Sequence, residues 1–248
     1  MKTIISLMIM LASFSFSYGQ EDATEIIRKA NNLLQGETNE MTITMKLIRP
    51  KWERVITMKT WGKGTEYSLV LITSPAKDEG QTFLKRGNEM WNWVPSISRM
   101  IKLPPSMMSQ NWMSSDLSYD DFLKESSIVD DYTHKILKTE EISGMECYKI
   151  ELMPKEDAAV VWGKVIKWVS KDGYFTLKSE YYDEDMDLVR TEMTGDIKYM
   201  GNRRIPTKYV VIPADKPGNQ TLMVIDAAKF DIPIADDFFS QQNMKTVE

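Results

Sequence analysis

The chain has 248 residues and a net charge of −5, with one His and one Cys against eighteen Met and seven Trp. The length admits one large β domain or two small ones, and the acidic balance argues against non-specific binding to nucleic acid or an anionic bilayer. One Cys excludes an internal disulfide.

Met1-Lys2 is a short basic start, and Ile4 to Phe16 is an apolar run of signal-peptide length, short for a membrane span. Ser17, Tyr18 and Gly19 place small residues ahead of Gln20, so residues 1–19 read as a secretory signal and 20–248 as a single domain. No Cys follows the cut to carry a lipid anchor. Asp22 to Gln35 is an amphipathic helix: Ile26, Ile27, Ala30, Leu33 and Leu34 recur at helical spacing, Asp22 or Thr24 caps its start, and Gly36 ends it.

The period changes to two from Asn39. Met41, Ile43, Met45 and Leu47 alternate with polar residues, and strands follow at Trp52–Trp61 and Tyr67–Ile72, both with large apolar residues on either face. Phe83–Arg86 and Glu89–Val94 form a hairpin whose Gly87-Asn88 turn suits type II′, setting Arg86 opposite Glu89 and Leu84 opposite Trp91. A short apolar run (Met100, Ile101, Leu103) breaks at Pro104-Pro105. The next stretch is neither a good strand nor a long helix, yet it carries Met107, Met108, Trp112, Met113, Leu117, Tyr119 and Phe122 among serines and aspartates. A loop this apolar covers the protein's own core or faces a greasy ligand, since Met adapts to irregular apolar partners. Asp116 and Ser118 ahead of Tyr119 look like an N-cap and first turn.

Strands resume at about Tyr132–Glu140, Cys147–Met153, Val160–Ser170, Phe175–Asp183, Leu188–Met200, Arg204–Pro213 and Asn219–Lys229. This spacing, unbroken by long helices, predicts an antiparallel sheet or barrel. Phe238 or Phe239 docks a short closing segment.

The chemistry is sparse. A zinc site needs about three or four ligands, and His134 and Cys147 fall on separate predicted strands with no CxxC or HxxxH spacing. There is no GxSxG elbow and no Gly-rich phosphate loop. The acidic pairs Asp120-Asp121 and Asp130-Asp131 and the Asp183–Asp185 cluster read as solvated loops or caps. No catalytic residue, metal site or cofactor is expected.

The signal segment, the initial helix, the Met- and aromatic-rich strands, Trp91-x-Trp93-x-Pro95 and the run SSDLSYDDF (Ser114 to Phe122) together resemble the outer-membrane lipoprotein-sorting proteins of the LolA/LolB-like superfamily, in its exported, soluble branch. The most specific piece is the nine-residue run, with Ser115 where the family motif has Gly. No position here is matched to the family's lid arginine. The resemblance implies a mainly β fold, a half-open antiparallel β-barrel with helices covering its concave side. It also implies a periplasmic carrier, not an enzyme. Such a carrier binds acyl chains of lipoproteins or lipids in an apolar hollow and moves them from an inner-membrane transporter toward an outer-membrane acceptor. The alternative is a non-transporting accessory protein of an inner-membrane exporter; an enzyme with a dispersed site is disfavoured. The candidate ligand-binding residues are Trp91, Trp93, Met100, Met107, Met108, Trp112 and Met113. Trp91 and Trp93 share one strand face, which either lines the hollow or packs beneath the first helix.

Overall fold

The computed structural model describes residues 21–108, 110–119, 121, 128–156, 158 and 160–248. The expected signal segment lies outside them, as does Phe122. Helix α1 (Ala23–Gln35) forms where the apolar spacing placed it. The Asp22 carboxylate accepts the Thr24 N–H at 3.1 Å, and Gly36 closes the helix by donating its N–H to the Asn32 carbonyl. Gly36 has a φ of 61°, and a Cβ there would stand 2.8 Å from Asp231, so the stop requires glycine.

Thirteen strands follow: β1 (Thr38–Arg49), β2 (Trp52–Lys63), β3 (Tyr67–Ser74), β4 (Thr82–Arg86), β5 (Glu89–Val94), β6 (Arg99–Lys102), β7 (Tyr132–Ile142), β8 (Met145–Pro154), β9 (Lys164–Ser170), β10 (Thr176–Tyr182), β11 (Leu188–Met200), β12 (Arg203–Pro213) and β13 (Gln220–Phe230). The hairpin register matches the sequence expectation, with Arg86 opposite Glu89 and Leu84 opposite Trp91. Gly87 takes a φ of 54° while Asn88 stays out of the left-handed region, the sign pattern of a II′ turn.

All strands join one antiparallel sheet in the order β6-β5-β4-β3-β2-β1-β13-β12-β11-β10-β9-β8-β7. The sheet curves without closing, so β6 and β7 are its free edges, and residues 103–131 run from one edge to the other. The curvature follows from what α1 touches. It contacts both β1 and β7, which stand seven positions apart in the order. A flat sheet would separate them by about 33 Å, whereas a helix of this length spans about 20 Å. The sheet therefore wraps around α1. Register irregularities at Thr42/Ile43, Thr57/Met58 and Tyr181/Tyr182 supply local bends of the kind bulges produce. The fold is thus the expected half-open barrel. Helix α1 covers the concave side, with the 103–121 segment, whose Tyr119 and Asp121 are helical, beside it.

The two sheet faces have different covers. On the inner face, Ala23, Ile26 and Ile27 of α1 pack onto Ile150, Leu152, Val165, Val169 and Tyr181. Farther along, Met45, Leu47, Ile56, Met58, Val70, Ile72 and Phe83 line the same face and meet Trp112. On the outer face, Trp61, Leu69, Leu71 and Leu84 are covered by the C-terminal segment through Phe239 and Met244. Phe239 is fully buried and stacks on Tyr67 with ring centroids 5.4 Å apart. The predicted closing segment therefore docks on the convex side. Its presence explains why β2 and β3 carry large apolar residues on both faces.

Candidate functional site

The site is the inner face together with the segment that covers it. The chain leaves β6 through Leu103, whose N–H donates to the Met90 carbonyl at 2.9 Å. A 3-10 turn, Pro105–Met107, follows. Residues 111–118 then fold into a small closed loop. Trp112 N–H donates to Leu117 O at 2.7 Å, the Asn111 amide donates to Ser115 O at 2.6 Å, and Asn111 bridges Ser118. Met113 and Ser114 turn through φ values of 52° and 65°, and Trp112 packs onto the inner wall. The indole is 1 % exposed and lies edge-on to Phe83. Ser115, where the motif was expected to carry Gly, has a φ of −76°. That conformation suits any residue, and its hydroxyl accepts the Leu117 N–H.

The aspartates of SSDLSYDDF are more than caps. Ser118 and Asp121 do form a reciprocal capping box: the carboxylate accepts Ser118 N–H at 2.6 Å, and the Ser118 hydroxyl accepts Asp121 N–H at 3.3 Å. Asp121 also receives a bidentate pair from Arg190 on β11, at 2.7 and 2.8 Å. Asp116, expected near a helix start, is buried instead. Its Oδ2 lies 3.0 Å from Arg49 Nη1 on β1 and accepts the Thr221 hydroxyl at 2.6 Å. Arg49 donates in addition to Ser114 O at 2.9 Å and to Gln220 O at 2.8 Å. Two buried arginines on distant strands thus clasp the two ends of the motif. Neither pairing follows from local spacing, which is why the sequence pointed to solvated loops or caps.

Arg190 sits over the rings of Tyr181 (4.3 Å) and Trp162 (4.8 Å) and also pairs with Glu192 at 2.9 Å. Burial favours its neutral form, but Glu192 and Asp121 outweigh that and raise its pKa above the ordinary value. Its Nε is buried without a hydrogen-bond partner. Taking one partner from such a buried pair costs about 3–5 kcal/mol, so the segment is held firmly at these two points. Elsewhere it rests on apolar contact: Met107, Met108 and Tyr119 against Met90 and Leu103, and Met113 and Tyr119 against the β1–β4 wall. The space left among Ser68, Val70, Phe83, Lys85, Met90 and Trp112 is about 10 Å³. The chain's own side chains fill this hollow.

The seven sequence candidates fall on opposite faces. Met107, Met108, Trp112 and Met113 belong to the inner cover. Trp91, Trp93 and Met100 pack on the outer face with Phe239 and Met244, under neither α1 nor the motif segment. Beside them, an open groove of about 530 Å³ runs between Trp61, Glu40 and the C-terminal residues Ile234, Phe238 and Asn243. The signal that could have separated the faces was the alternation itself. Trp91 shares its face with Leu84 by register, whereas Phe83 and Lys85 point the other way.

His134 and Cys147 have structural surroundings. The His134 Nε2–H donates to the Ile128 carbonyl at 2.9 Å, and Nδ1 accepts from the Thr24 hydroxyl at 3.2 Å, tying α1 to β7. Cys147 is buried, and burial pushes its thiol pKa up. Among the described residues, no three His, Cys, Asp or Glu side chains gather as a metal ion would require. No described helix is long and apolar enough to cross a membrane.

A family model described as "Uncharacterized protein" matches residues 64–246. No curated protein matches the chain. Among solved structures, a DUF1329 family protein from Desulfovibrio piger is 22% identical with a TM-score of 0.81, over 90% of this chain and 97% of its own. A LolA superfamily protein from Nitrosomonas europaea is 24% identical with a TM-score of 0.76, over 90% and 99%. An outer membrane lipoprotein-sorting protein domain from Vibrio parahaemolyticus is 19% identical with a TM-score of 0.79, over 90% and 98%. At these identities the likeness is one of fold, and that fold is LolA-like.

Proposed function

The chain belongs to the family matched over residues 64–246 and has the LolA-like fold, and from that premise we propose that it is a carrier of acyl chains. The ligand is a lipid or the lipid-modified end of a lipoprotein. It occupies the inner face beneath the 103–121 segment, which acts as a lid. The protein works in the periplasm after removal of residues 1–19, takes its cargo from an inner-membrane transporter and delivers it toward the outer membrane. It performs no covalent chemistry.

One observation carries this reading. The inner face of β1–β4 is a continuous apolar wall, yet a segment that adds no strand to the sheet covers it, inserting one large plug, Trp112. Here the cover is attached through Asp116 to Arg49 and Thr221 and through Asp121 to Arg190, and otherwise by Met and aromatic contacts, an arrangement that can part as a unit. An acyl chain replacing Trp112 and Met113 would recover about 0.8 kcal/mol for each methylene buried. Methionines at the rim suit chains of differing shape. Met107, Met108, Trp112 and Met113 are the residues that line the path of entry. Trp91, Trp93 and Met100 anchor the C-terminal segment.

The test is lipid extraction and mass spectrometry of protein purified from the periplasm. Acyl species in near-stoichiometric amount, on a chain whose intact mass starts at Gln20, support the carrier. A lipid-free protein that co-purifies stably with an inner-membrane permease favours the accessory reading.

A further inference from the structure

We infer that Arg190 is the receptor for an oxyanion at the polar end of the ligand, and that Asp121 is its internal stand-in while the lid is closed. The inference rests on the carrier reading above and adds the ligand's chemical class: an amphiphile whose acyl chain ends in a carboxylate or a phosphate.

Three features of Arg190 point to it. The guanidinium faces the same side of the sheet as the apolar wall, over the rings of Tyr181 and Trp162. It is 5 % exposed, so it is desolvated before any ligand arrives. It donates to both oxygens of one lid carboxylate, while Nε keeps a proton with no acceptor. A buried donor without a partner is destabilising and is the sort of unmet demand a ligand oxygen can satisfy.

The two clasps differ in what they lose when the lid parts. Asp116 is bound by Arg49 and, through both its backbone N–H and its carboxylate, by Thr221. That end is the tether. Among the described residues Asp121 has a single sheet partner, Arg190, so that end is the release point. Arg49 and Arg190 lie near one end of the sheet, since Ile48 pairs with Gln220 and Arg190 with Pro213. Three strand spacings, about 14 Å, separate β1 from β11. One oxyanion therefore meets Arg190 without disturbing the tether. When Asp121 leaves, Arg190 keeps Glu192, and a ligand monoanion restores the charge balance of the closed state. A neutral headgroup leaves that place unfilled, in a site where charge-assisted hydrogen bonds are the strong ones.

The test is displacement of the neutral dye N-phenyl-1-naphthylamine by dodecanoate, dodecyl phosphate and dodecanol, each below its micellar concentration. Wild type should prefer the two anions over the alcohol by about tenfold or more, the yield of one charged hydrogen bond. Arg190→Gln should bring the three within about twofold of one another, and Arg49→Gln should keep the preference. Arg190→Lys, which retains charge but lacks the bidentate fork, should lose part of it and serves where the Gln variant does not fold. Equal displacement by all three in wild type overturns the inference and leaves the carrier reading intact. A preference unchanged in both Arg190 variants, or lost in Arg49→Gln instead, also overturns it. Displacement by none of the three overturns both.

Discussion

Trp112 of the lid lies edge-on to Phe83 of β4, with ring centroids 5.4 Å apart and planes at 67°. Such pairs are worth about 0.5–1.5 kcal/mol beyond the area they bury. This contact lies where the proposed ligand would sit, so the lid both completes the core and competes with cargo.

Trp112→Ala separates those two roles. Truncating a buried Trp costs about 3–5 kcal/mol, so the melting temperature of the free protein should fall. Because the plug is gone, dodecanoate should bind more tightly than to wild type and raise the midpoint by more, as expected for a ligand selective for the native state. Thermal melts with and without dodecanoate check this. A variant that ligand does not rescue places Trp112 in the core alone.

Arg190 and Asp121 should be strongly coupled. Arg190→Ala leaves Asp121 and Glu192 facing each other without their cation, and should cost about 3–5 kcal/mol in urea unfolding. A double-mutant cycle of Arg190→Gln with Asp121→Asn should give a coupling energy of about 1.5–3 kcal/mol. Additive single effects would mean that the clasp contributes nothing as a pair.

The two faces should respond differently to substitution. Met108 is half-buried at the lid rim, near Met90 and Leu103. Met108→Asp should weaken acyl-probe binding severalfold with a small change in melting temperature. Trp91 packs on the outer face with the C-terminal segment. Trp91→Ala should lower the melting temperature by several degrees, about 1–3 kcal/mol, while the folded protein binds probe as wild type does. The reverse pattern would move the site to the outer face.

Much of the architecture was legible in the sequence because each strand had its own period and turn. The Gly87-Asn88 hairpin and the α1 caps fall where local chemistry placed them. The inward face was not legible. Val70 and Ile72 on one side of β3 are matched by Leu69 and Leu71 on the other, and only the docking of Phe239, far along the chain, explains the second set. For the same reason the seven candidate residues could be grouped by density of Met and Trp but not sorted by face. The motif aspartates were legible as polar loop residues, yet their partners Arg49 and Arg190 are joined to them by topology, not spacing.

His134 gives the fold a defined pH response. Burial lowers its pKa from the ordinary 6.5, with Lys155 adding to the effect and the hydrogen bond to the Ile128 carbonyl opposing it. The folded state therefore prefers the neutral ring. Its contribution is fully present above pH 6.5 and is lost as pH falls from there through the lower folded value, because the unfolded chain binds the proton first. Melting temperature should drop between pH 7.5 and 5.5 by more in wild type than in His134→Gln, by an amount bounded near 1.4 kcal/mol per pH unit. Acyl binding at pH 7.5 should be the same in both proteins. Lost binding in well-folded His134→Gln would give this residue a role beyond joining α1 to β7.

The claim that the inner face holds the acyl chain is tested most directly by photo-crosslinking. A diazirine-bearing fatty acid is bound, irradiated and mapped by peptide mass spectrometry, with excess dodecanoate as competitor. The account predicts competable labels on β2–β4 at Ile56, Met58, Val70 or Phe83 and on the lid at Met107–Met113. Labels confined to the outer groove at Trp61, Ile234 and Phe238, or labels that dodecanoate does not compete away, would contradict it.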